Sequence, residues 1–165
     1  FFGHDSETAA TMSPVQLIVT FLGYSVAAGA LGALAMAGVI KLITRSGWAR
    51  SDMVIAVGSL LTGSRESARL VGRTLHALSG VGFAMVYAVV MMALNLTKFP
   101  EAAFAGIGFG IFHGMVVSLT LCWIVAEQHP LDEFKNAGLA VGVSHLAGHV
   151  AYGLVVGLVI GFSGL

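Results

Sequence analysis

Charge is what this sequence has least of. Its 165 residues carry eight Lys or Arg and eight Asp or Glu, so 10% are charged, against roughly 25% in an average soluble domain. That scarcity excludes an ordinary water-soluble domain. The formal net charge of zero excludes the basic field that would hold a nucleic acid. Cysteine is down to one residue, Cys122, inside an apolar run. An internal disulfide and a cysteine metal cluster are therefore both excluded, and the thiol reads as packing. The three prolines, Pro14, Pro100 and Pro130, stand at the edges of apolar runs, where proline starts or stops a helix. No GxSxG, HExxH or phosphate-loop pattern occurs. Ser144 and His145 are adjacent, so on a helix they point about 100° apart, and no acidic group stands near to orient them. Enzyme activity is not expected.

What is present is apolar: 57% of residues are hydrophobic and the mean hydropathy is +0.92. Four runs, residues 15–43, 74–96, 102–126 and 138–162, reach or exceed the length of about 20 residues that crosses a bilayer as a helix. The expectation is an all-α integral membrane protein: a four-helix bundle of antiparallel spans, with residues 1–14 as a polar N-terminal segment and residues 15–165 as one transmembrane domain. Residues 52–61 contain an apolar stretch too short to cross, which reads as an interfacial helix capped by Ser51 or Asp52. The N-terminal segment is acidic through Asp5 and Glu7 and lacks a basic region followed by an apolar core, so it does not read as a signal peptide.

The cations are unevenly distributed. Lys41, Arg45, Arg50, Arg65, Arg69 and Arg73, six of the eight, surround the first loop. The positive-inside rule then puts that loop in the cytoplasm and both termini on the outer side. Arg65, Arg69 and Arg73 form a basic stripe suited to anionic lipid headgroups or an acidic partner. Small residues form ridges of their own: Gly29, Gly32, Ala33 and Ala37 in the first run, Gly80, Ala84 and Ala88 in the second, and Gly106, Gly110 and Gly114 in the third. Such ridges let helices approach closely in lipid, within the bundle or against larger neighbours.

The last run, GLAVGVSHLAGHVAYGLVVGLVIGF, holds the most informative polar groups. His145 and His149 leave one helical face, with Tyr152 close to it. Polar side chains at membrane depth face other helices, a cavity or a cofactor. In an antiparallel arrangement His113 of the third run reaches a similar level, and His76 lies nearer the cytoplasmic start of the second. These five residues are the candidate site. Several chemistries fit it. Haem or a chlorophyll-type tetrapyrrole could be ligated by His113 opposite His145 or His149. Imidazoles also suit zinc or copper, but no carboxylate or cysteine shares their depth, so no metal set is assigned. A proton or ion path lacks embedded carboxylates or lysines. The simplest alternative is hydrogen bonding between helices, from His149 to Ser118, Thr120 or the Tyr152 of a second copy.

The segments LHALSGVGFAMVYAVV, GIGFGIFHGMVVSL and SHLAGHVAYGLVVGLVIG resemble a family of small four-span prokaryotic membrane proteins grouped as a domain of unknown function. The residues carrying the likeness are His76, Gly80, Tyr87, Gly110, Gly148, His149, Tyr152, Gly153 and Gly157. The resemblance covers residues 15–161. It implies a four-span bundle in the prokaryotic cytoplasmic membrane and assigns no activity. Three functional expectations follow: a non-catalytic accessory or structural subunit of a larger respiratory or photosynthetic membrane complex; a tetrapyrrole-binding redox or pigment protein; or a small transporter or channel.

Overall fold

The computed structural model describes residues 12–49, 52–120, 123, 126–135 and 138–165. The polar segment up to residue 11, Arg50, Ser51 and Cys122 lie outside these described residues.

The first three helices begin where the sequence supplies a side-chain cap. Ser13 Oγ accepts the backbone N–H of Gln16, whose side chain in turn accepts the N–H of Ser13, and Pro14 follows with its φ already set for a helix. Helix α1, Pro14–Arg45, starts there. Asp52 caps α2, Met53–Thr62, by accepting from the Ile55 N–H; α2 ends at Gly63, whose φ of 64° is left-handed. One residue later Ser64 caps α3, Arg65–Ala93. The apolar run alone suggests a start near residue 74. Arg65, Arg69 and Arg73 instead belong to the same continuous helix as the run that follows. After a turn containing Asn95 (φ 55°) come α4, Glu101–Leu119, the short α5, Ala126–Gln128, a single 3-10 turn at Asp132–Phe134, and α6, Leu139–Gly161.

The architecture is an all-α four-helix bundle, with no strand among the described residues. Four helices, α1, α3, α4 and α6, are long and apolar enough to cross a membrane. Helix α6 is the hub. It packs most extensively against α4 and then against α1, while α3 lies against α1 and carries α2; α3 and α4 barely touch. Around the bundle the order is therefore α3, α1, α6, α4, with a weak seam between α3 and α4.

Glycine makes the tight pairs possible. On α4 and α6, positions 102, 106, 110 and 114 face 157, 153, 149 and 146 in antiparallel register. A Cβ on Gly106 would lie 2.1 Å from the Gly153 carbonyl oxygen, and one on Gly153 equally close to that of Gly106. The α2–α3 hairpin is closer still: a Cβ on Gly72 would meet the Val54 oxygen at 1.8 Å, and one on Gly58 the Ala68 oxygen at 1.9 Å. The ridges at Gly29, Gly80 and Gly106–Gly114 all face partners within the bundle.

Two contacts hold the connection after α4 against the α2–α3 hairpin. Arg65 pairs with Glu133 on the surface. Beneath it His129, only 1% exposed, accepts the Leu131 N–H at Nδ1. That leaves the ring hydrogen on Nε2, which donates 3.0 Å to the Ala56 carbonyl of α2.

Candidate functional site: an imidazole-lined cavity at the weak seam

Where α3 and α4 fail to close, the structure has a cavity of about 190 Å³. The α3 contribution follows from helical spacing: His76, Ser79, Gly80 and Phe83 fall three or four residues apart on one face. Tyr87, one turn further along that face, reaches His113. His113 and Val117 come from α4, His149 and Tyr152 from α6, and Val57 of α2 lies across the end nearest the arginines. Ser79 is exposed and Phe83 is 41% exposed, so the cavity reaches the side of the bundle at these two α3 residues.

The candidates divide. His113 and His149 come together, their rings edge to face with centroids 4.6 Å apart. Tyr152 is beside them and reaches across the bundle, donating from its hydroxyl to the Gly80 carbonyl at 2.6 Å. His76 lines the same cavity toward α2. His145 is buried on α6, one turn before His149, but does not line the cavity; its carbonyl oxygen accepts the Nδ1–H of His149 at 2.7 Å. Phe83 covers His113 at 4.0 Å between ring centroids. Tyr87 Oη lies 3.2 Å from His113 Nδ1, and its ring packs edge to face against Tyr152 at 5.8 Å.

The interhelical bonds expected from His149 to Ser118 or Thr120 are not the ones formed. The Ser118 hydroxyl donates 2.8 Å to the Gly142 carbonyl, linking α4 to α6, and Thr120 donates back to Val116 within its own turn. Both hydroxyl hydrogens go to carbonyls, that of Gly142 on α6 for Ser118 and that of Val116 on α4 for Thr120, so neither is donated to an imidazole. Ser144 likewise donates to Ala140 on its own helix and is fully buried. Among the described residues no group of three His, Cys, Asp or Glu side chains is arranged to hold a metal ion.

Sequence reasoning missed Ser79 and Phe83 and gave Tyr87 no role in the site. The signal available for them was the spacing 76, 79, 83 and 87, which puts a histidine, a hydroxyl and two aromatic rings on one stripe of α3. The chain matches no family model, no curated protein and no solved structure.

Proposed function

We propose that this chain is a multi-pass membrane protein that binds a small molecule in the cavity between α3 and α4, without catalysing its conversion. One observation carries the reading: three imidazoles and a tyrosine from three helices of an otherwise apolar bundle line one cavity at its weakest seam. In hydrocarbon a polar group is costly unless it has a partner. Tyr152, Ser118 and Ser144 are each paired with backbone carbonyls, whereas among the described residues His113 and His149 are each paired through Nδ1 alone and, with His76, line the cavity.

The geometry gives less support to the other expectations. A tetrapyrrole ligated from both faces needs its two imidazoles on opposite sides of a gap as wide as the macrocycle's mounting. The rings of His113 and His149 are instead in contact, and about 190 Å³ is below the roughly 300–1,000 Å³ of pockets that hold drug-sized ligands. An accessory subunit would use small-residue ridges as docking faces, and here those ridges are occupied within the bundle.

The test is native mass spectrometry of the full chain extracted from its membrane in mild detergent, beside a visible spectrum of the same fraction. A small molecule that co-purifies with the wild type and is absent from Ser79→Trp, which plugs the mouth, is expected. A Soret band that weakens in His149→Ala would replace this reading with the tetrapyrrole one.

A further inference from the structure

The hydrogen-bonding sense of the cavity is fixed by the partners of its two touching imidazoles. Because the His145 carbonyl can only accept, the hydrogen of His149 sits on Nδ1, and the neutral ring offers Nε2 to the cavity as an acceptor. His113 is set the opposite way. Tyr87 is buried, and among the described residues its hydroxyl has no acceptor other than His113 Nδ1. The phenol therefore donates to Nδ1, and His113 carries its own hydrogen on Nε2 as a donor. One donor and one acceptor thus stand on neighbouring rings in an aromatic-walled space.

A hydroxyl satisfies both at once, since it donates one hydrogen and accepts another. The walls select what carries it. Phe83, His113 and Tyr152 are flat aromatic surfaces. A cavity of roughly 150 Å³ in another protein admits benzene, so about 190 Å³ admits a six-membered ring with small substituents. The sideways mouth past Ser79 and Phe83 leaves an apolar chain a way out along the seam, and His76 lines the α2 side, where a second ring hydroxyl would lie.

We propose that the cavity binds the ring of a lipid-soluble hydroquinone, whose hydroxyl donates to His149 Nε2 and accepts from His113 Nε2–H while its apolar chain leaves between α3 and α4. This rests on the ligand-binding reading above and names its ligand class. The oxidised quinone has acceptors only. It would pair with His113 but leave His149 Nε2 desolvated and without a donor, so the reduced form binds roughly tenfold or more tightly than the oxidised form.

The experiment is anaerobic titration calorimetry of the full chain in mild detergent with a ubiquinol bearing a single-isoprene tail, and with the corresponding quinone. The expected result is the reduced form bound at least tenfold more tightly. That preference should disappear in His149→Phe, and both forms should be lost in Ser79→Trp, an exposed position whose change leaves the core intact. Equal affinities, or a preference for the quinone, would overturn the proposal. If neither form binds while a small molecule still co-purifies in a Ser79→Trp-sensitive manner, the hydroquinone is wrong and the ligand-binding reading stands. If neither binds and nothing co-purifies, both fail.

Discussion

Gly106 and Gly108 are two residues apart on α4 and do different things. At Gly106 the Gly153 carbonyl already occupies the space a side chain would need, 2.1 Å from an ideal Cβ, whereas at Gly108 nothing lies within 4 Å. Backbone cannot yield as the end of a flexible side chain can. Gly106→Val is therefore expected to force α4 from α6 and to destabilise the bundle by about 3 kcal/mol. Gly108→Ala should be neutral or stabilising by a few tenths up to about 1 kcal/mol, since it removes only the conformational freedom of glycine. Thermal unfolding of both variants in one detergent checks the pair, and equal effects would mean that α4 and α6 do not meet along this ridge. Tyr152→Phe probes a different link, the hydroxyl that joins α6 to the α3 backbone. Its loss leaves the Gly80 carbonyl without that donor, and the expected cost in the same assay is about 1 kcal/mol.

Among the elements, α2 has the sharpest structural logic. Asp52 caps its start, Gly63 ends it, and Gly58 with Gly72 lets it lie directly on the first turns of α3. Gly58→Val would drive a side chain into the Ala68 carbonyl and is expected to detach α2. The readout is protease cleavage within residues 52–64, slow in the wild type and fast in the variant. By contrast Glu133→Gln removes only an ion pair whose side chains are 59% and 48% exposed, and solvent screening limits the change in stability to under about 1 kcal/mol. The four long helices were legible in the sequence because twenty or more apolar residues have few other solutions. So was the fact that His145 and His149 share a face. What was not legible depended on pairings between elements. Hydropathy places the start of the second span near residue 74, because Arg65, Arg69 and Arg73 are polar, and only the Ser64 cap reveals the continuous helix. His76 reads from the sequence as lying nearer the cytoplasmic start of its span than the other candidates; it lines the same cavity as His113 and His149, with Val57 of α2 beside it. His145 looked equivalent to His149. The difference between them lies in which ring reaches the seam, and helical periodicity alone does not decide that.

At the scale of the whole molecule the antiparallel register puts Lys41, Arg45, Arg65, Arg69, Arg73 and Lys135 at the α2 end of the bundle, and among the described residues only Lys98 at the other. Each lysine or arginine beside a span resists translocation, while acidic residues contribute little to that bias, so the count of cations and not the zero net charge governs orientation. The expected topology has α2 and the His129 turn on the cytoplasmic side, with Thr97 and the C-terminal residues outside. On that topology the Val57 end of the cavity would face the cytoplasm, and its opening at Ser79 and Phe83 would lie within the thickness of the bilayer, where a lipid-soluble ligand would arrive without passing through water. In a Cys122→Ser background, Lys98→Cys and Gln128→Cys place one exposed thiol at each end. A membrane-impermeant maleimide added to intact cells should label Lys98→Cys at once and Gln128→Cys only after lysis. The reverse pattern would invert the protein and put the arginine stripe outside. Labelling of both thiols in intact cells would mean that the α2 end is not sealed behind a membrane, and the lateral route into the cavity would lose its physical basis.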